Sequence, residues 1–135
     1  EFQQIVYEHP EYTPEDRKRV YRDLEKKYRP YLSFDGIPYL EEGTRWQYQM
    51  HIYESPFYYI DYVLAQTAAF GFLLQSREDY DLAFQRYLRL MRQGGEQYYD
   101  RLLEEACIPS PFKEGALDAL AERVEALLRQ VKPTK

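Results

Sequence analysis

Apolar residues recur along most of this chain at the three- and four-residue spacing of a helix that buries one face. Nowhere do they hold the two-residue alternation of a half-buried strand. Phe2, Ile5 and Val6 have helical spacing from the first residue, and His9-Pro10 ends that segment because proline disfavours helical geometry in the residue before it. With no cap ahead of it, this opening reads as the interior of a helix and the chain as a piece of a longer polypeptide. Thr13-Pro14-Glu15-Asp16 predicts the next helix start, with Thr13 as N-cap, Pro14 at the first helical position and acids in the first turn. Val20, Tyr21, Leu24 and Tyr28 form its apolar stripe. Lys18, Arg22, Glu25 and Lys26 form its solvated face, until Arg29-Pro30 stops it.

Tyr31 to Gly43 is punctuated by Gly36 and Pro38 and reads as a loop whose Phe34 and Tyr39 tuck onto the core. Thr44 is expected to cap a short helix to about Tyr53. Ser55-Pro56 starts the most apolar, central helix, to about Gln75, and Gly71 within it marks a close helix–helix approach. Ser76-Arg77-Glu78-Asp79 resembles a capping box for a helix through Arg92, striped by Tyr80, Ala83, Phe84, Tyr87, Leu88 and Met91. Gly94-Gly95 ends it. A short helix from Glu96 to about Cys107 buries Tyr99, Leu102, Leu103 and Ala106. After the turn Pro109 to Phe112, the last helix runs from about Glu114 to Val131 on Leu117, Leu120, Val124, Leu127 and Leu128, and Pro133 closes it. The predicted fold is all-α, a multi-helix bundle forming a single unit over residues 1–135.

Composition narrows the function classes. The net charge is −5 and no Lys/Arg cluster stands out, which argues against a nucleic-acid partner. The longest apolar run, Val63 to Leu74, is broken by Gln66, Thr67 and Gly71 and is too short and too polar to span a membrane. The opening residues have neither the basic nor the apolar region of a secretory signal. A lone cysteine, Cys107, excludes an internal disulfide framework and fits a reducing cytosol, so a cytoplasmic protein is expected.

Chemistry concentrates in one stretch. Trp46 to Gln66 holds the one tryptophan, one of the 2 histidines and five of the 15 tyrosines. Elsewhere the candidates are weak. His51 and Glu54 could form half a metal site, but no His-Glu-x-x-His motif supplies the other half. Cys107 sits at the acidic end of a predicted helix, where a thiolate is disfavoured. Gly94-Gly95 lacks the lysine and preceding strand of a phosphate loop, and Glu41-Glu42 and Glu104-Glu105 read as solvated. In the aromatic stretch, a helix from Pro56 places Tyr59, Tyr62 and Gln66 on one stripe and Tyr58, Tyr62 and Ala65 on its neighbour. Two readings remain open on the residues alone: core packing, as in a non-enzymatic helical interaction or scaffold domain, and a row of phenol donors lining a peptide cleft.

The same stretch carries a resemblance. Gly43, Arg45-Trp46-Gln47, Gln49, His51 to Tyr53 and Pro56 to Gln66 closely resemble oligoendopeptidase F, a zinc metallopeptidase family related to thimet oligopeptidase. The likeness continues in order at Val6 to Glu15, Leu24 to Tyr28, Gly94-Gly95 and Pro111 to Leu117. It implies the C-terminal, helical part of such an enzyme, forming one wall of a channel for short peptides. The zinc would be bound by the absent upstream portion of the same enzyme, not by this chain, which alone would be inactive. The resemblance further implies that His51, Tyr59 and Tyr62 bind substrate and stabilise the tetrahedral intermediate, with Tyr58 a neighbouring substrate contact. An alignment that admits a one-residue shift around Glu54 to Pro56 leaves open which of Tyr58 and Tyr59 faces the substrate. Trp46, Phe57, Ile60 and Leu64 are left as packing residues. Two departures stand out: Cys107 replaces an expected glycine, and Gly71-Phe72 lacks an expected tryptophan after Phe70.

Overall fold

The computed structural model describes residues 1–131, and all regular structure among them is helical. The stop expected at Pro133 lies outside the described residues. The chain falls into two compact units, Glu1–Tyr59 and a second from Ile60 onward. Among the described residues, no helix is long and apolar enough to cross a membrane.

In the first unit, α1 (Phe2–Glu8) ends at the predicted His9. Helix α2 (Pro14–Tyr28) starts on a complete capping box: the Asp16 amide donates to Thr13 Oγ1 at 3.2 Å, and the Thr13 amide donates to Asp16 Oδ2 at 3.0 Å. Such a cap stabilises a helix by about 1 kcal/mol. Phe2 is the buried anchor, edge-on to Tyr21 at 5.1 Å and tilted against Trp46 at 5.2 Å, while Trp46 stacks on Tyr53 at 6.0 Å.

Two positions on α2 depart from the amphipathic reading. Tyr28 is exposed, and its hydroxyl donates to the Glu1 carboxylate instead of entering a core. Glu25, expected in solvent, keeps only 10% of its side chain exposed and lies 3.5 Å from the Arg45 guanidinium. A charge beyond the helix itself covers it, which spacing along α2 cannot reveal.

The segment after α2 also differs in detail. The expected loop contains a one-turn helix, α3 (Pro38–Glu41). Tyr39 stays exposed, its hydroxyl donating to Gln47 Oε1 at 2.6 Å. Gly43 has φ +81°, and a Cβ there would run into the Lys18 carbonyl, so glycine is required on two counts. Thr44 does not cap a helix; it is buried, and its hydroxyl donates to the Tyr39 carbonyl. The helix expected up to Tyr53 is therefore split into a 3-10 turn, Arg45–Tyr48, and α4 (His51–Glu54). The next helix begins at Tyr59, not at Pro56, because Phe57 adopts φ +64°. A bulky residue in the left-handed region cannot continue a right-handed helix, and it costs on the order of 1–3 kcal/mol to hold.

The second unit contains most of α5 (Tyr59–Glu78), then α6 (Tyr80–Gln93), α7 (Tyr99–Glu105) and α8 (Ala116–Gln130). Ser76 lies inside α5, and the true cap of α6 is Asp79, whose Oδ1 accepts from the Leu82 amide at 3.0 Å. Leu103, Ala106 and Ile108 form the buried cluster, with Ala68, Phe72, Leu90 and Tyr99 packed against it. Gly71 meets Ile108 so closely that no side chain fits between them; the close approach expected at Gly71 is present, but its partner lies in the segment after α7 and not in a helix. On α6 only Ala83 of the apolar stripe is buried; Tyr80, Phe84, Tyr87, Leu88 and Met91 are exposed.

Helix α7 ends in a Schellman motif. The Ile108 amide donates to the Leu103 carbonyl at 2.9 Å and the Cys107 amide to the Glu104 carbonyl at 3.0 Å. Cys107 occupies the left-handed position of that motif, at φ +56°. This is the position at which the family resemblance leads one to expect glycine, and the conformation supplies the reason.

Candidate functional site

The chemistry-bearing stretch is a pair of short helical pieces joined by a turn. Helix α4 starts at His51, and the Ser55 amide donates to the His51 carbonyl at 3.0 Å. The chain then turns through residues 56–58, with the Tyr58 amide donating to the Ser55 carbonyl at 3.1 Å, and α5 begins at Tyr59. The turn brings the Tyr59 phenol flat onto the His51 imidazole, with ring centroids 3.2 Å apart and planes within 8°.

The elements around this turn come from far along the chain. Gln3 of α1 accepts a hydrogen bond from the Phe57 amide on Oε1 at 3.1 Å, and its Nε2 donates to the Ile52 carbonyl at 3.5 Å. Tyr7, one turn further along α1, meets the Phe57 ring edge-on at 5.5 Å. Gln3 lies outside every stretch that carries the family resemblance, and at sequence separations of 49 and 54 residues no local signal could connect it to the site.

The three tyrosines lie at the surface of the described residues. Tyr58 is 45% exposed, Tyr59 50% and Tyr62 59%, so none of the three is a core residue. Phe57 and Ile60, expected to pack, are also more than half exposed, whereas Trp46 and Leu64 are half-buried. Tyr62 belongs to the second unit and lies one helical turn after Tyr59 on α5. There the backbone is fixed by two further bonds: the Thr67 hydroxyl donates to the Val63 carbonyl at 2.9 Å, and the Tyr99 hydroxyl to the Leu64 carbonyl at 2.7 Å.

Electrostatics favour a neutral histidine. Burial holds the His51 imidazole below its ordinary pKa, so near neutrality it offers one N–H donor and one acceptor nitrogen. A phenol, with a reference pKa of about 10, remains a donor over the same range. The arrangement can therefore hold a peptide backbone by hydrogen bonds and meet developing negative charge on an oxygen.

The other candidates stay apart. Among the described residues, no group of three or more His, Cys, Asp or Glu side chains could hold a metal ion, so His51 and Glu54 remain an isolated pair. Cys107 is exposed at the end of α7. Two clefts, ≈ 440 Å³ in the first unit beside Arg22, Lys26 and Arg29 and ≈ 490 Å³ in the second beside Arg86, Lys113 and Arg123, are not lined by His51, Tyr59 or Tyr62.

No protein-family model and no curated protein matches the chain. Solved structures do, and they are peptidases: the chain is a helical segment related to peptidases. Pz peptidase A, solved with an inhibitor, is 46% identical with a TM-score of 0.89, the match covering 97% of this chain and 23% of that one. A second structure, assigned as an oligoendopeptidase F, is 44% identical with a TM-score of 0.89 over the same shares. The chain belongs to the oligoendopeptidase F family, as the residues from Trp46 to Gln66 led one to expect. It spans about a quarter of the length of the relatives it matches.

Proposed function

We propose that this chain is the C-terminal, substrate-binding portion of a zinc-dependent oligopeptidase that hydrolyses short peptides in the cytoplasm. The observation that carries this reading is the stacking of the Tyr59 phenol on His51 where α5 begins; the Tyr59 and Tyr62 side chains are each exposed. In this reading His51 hydrogen-bonds the substrate backbone, Tyr58 contributes a further contact, and Tyr59 and Tyr62 donate phenol protons to the oxygen that becomes negative as the scissile carbonyl turns tetrahedral.

Zinc is implied by the family and does not fit this chain's donors, because no three of the described His, Cys, Asp and Glu residues converge. The ion is therefore assigned to the upstream portion of the same enzyme, which is this chain's principal partner, and the chain alone is expected to be inactive. What these residues contribute is orientation and charge stabilisation. Removing one oxyanion donor lowers turnover by about 100- to 1000-fold. Tyr62→Phe in the complete enzyme, assayed on a short quenched peptide, tests the reading: a loss of that size with unchanged thermal stability supports it, and unchanged turnover rejects it.

A further inference from the structure

We propose that Gln3 is a positioning residue for the His51–Tyr59 pair, acting through the backbone of the turn that joins them. The inference rests on the function proposed for that pair and extends it to a side chain on another helix.

The turn has a specific weakness. Phe57 sits at φ +64°, a conformation that its own side chain disfavours, and it has to be held there by its surroundings. Two α1 residues do so. Gln3 Oε1 accepts from the Phe57 amide at 3.1 Å, and Tyr7 packs edge-on against the Phe57 ring at 5.5 Å. The same Gln3 amide reaches back with Nε2 to the Ile52 carbonyl at 3.5 Å, one residue beyond His51. A single half-buried side chain thus touches the backbone next to His51 and the backbone two residues before Tyr59. Because the amide group is planar and rigid, the distance between those two backbone points is set by Gln3. The parallel stacking of the two rings depends on that distance. The shorter Phe57 contact carries most of the effect, since hydrogen bonds weaken toward 3.5 Å.

The test compares two substitutions in the complete enzyme. Gln3→Met keeps the length and shape of the side chain and removes both hydrogen bonds, whereas Gln3→Glu keeps an acceptor for the Phe57 amide. The ring current of Tyr59 shifts the ε1 proton of His51, whose resonance is assigned by its loss in His51→Gln. Gln3→Met is expected to move that resonance toward the position of an unstacked imidazole. It is also expected to lower kcat about tenfold, the scale of one lost hydrogen bond, with a smaller change in KM. Gln3→Glu is expected to recover most of both. An unmoved His51 resonance in Gln3→Met overturns the inference. A moved resonance with unchanged kcat upholds the brace and instead rejects the catalytic reading of the pair.

Discussion

A methyl group placed on Gly71 would lie 2.7 Å from Cγ2 of Ile108, closer than any two carbons of real side chains approach. Helix α5 and the segment after α7 meet there with no room for a side chain on the α5 side. Ile108 is itself buried in the Leu103–Ala106 cluster and cannot swing away. Two effects compete in Gly71→Ala. Alanine gains about 1 kcal/mol in helix propensity, and overpacking a filled core costs about 1–3 kcal/mol. Overpacking is expected to win by roughly 1 kcal/mol. Equilibrium unfolding of Gly71→Ala beside Gly71→Ala with Ile108→Ala measures it; the two costs should fall short of additive if the contact is the cause.

Cys107 offers the opposite opportunity. At φ +56° in the Schellman motif it bears the cost of a left-handed non-glycine residue, on the order of 1–2 kcal/mol. Glycine recovers that cost and gives back about half of it through greater freedom in the unfolded chain. Cys107→Gly is expected to raise stability by roughly 0.5–1 kcal/mol. Cys107→Ala, which keeps a Cβ, should leave it nearly unchanged. Equal denaturation midpoints for the two variants would refute the conformational explanation.

The depressed pKa of His51 links stability to pH. Its folded pKa lies below the ordinary 6.5 because burial disfavours the cation. The folded chain then binds fewer protons than the unfolded chain as acid is added. The contribution is complete above about pH 6.5 and is lost as the pH falls through the folded value. The carboxylates held low by hydrogen bonds, Glu1, Glu11 and Asp16, titrate below this window. Melting temperatures of the native protein and of His51→Gln, taken between about pH 8 and pH 5, should converge on the acid side. Parallel curves would show that His51 carries no such linkage.

The His51–Tyr59 stack bears on which of Tyr58 and Tyr59 faces the substrate. Tyr59 lies flat against His51. If the His51–Tyr59 pair is the substrate-facing one, Tyr59→Phe lowers turnover by about 100-fold while Tyr58→Phe changes it little. Peptidase assays of both variants, with KM measured alongside kcat, decide it. The reverse order would assign the substrate-facing role to Tyr58.

Much of this architecture was legible in the order of residues. The Thr13–Asp16 capping box, the proline stop after His9, the Gly94 terminus and the close approach at Gly71 all depend on local stereochemistry or on one missing Cβ. Those causes act within a few residues, so the chain displays them directly. The family was legible for a related reason, since a contiguous run from His51 to Gln66 carries it.

Other features depend on groups distant in sequence. The helix expected from Pro56 begins only at Tyr59 because Phe57 is held in the left-handed region, and the Gln3 and Tyr7 contacts on Phe57 come from α1. Glu25 left solvent because Arg45 approaches it, and Thr44 turned from cap to buried donor because the Tyr39 carbonyl lies within reach. Periodicity along a helix assigns a residue to a face and carries no information about what that face meets. Helix type, the Thr13 cap and the stops at His9 and Gly94 were therefore written in the linear chain. The stacking of His51 on Tyr59 arose only when packing brought α1 against the turn, because the interactions that hold that turn span about fifty residues.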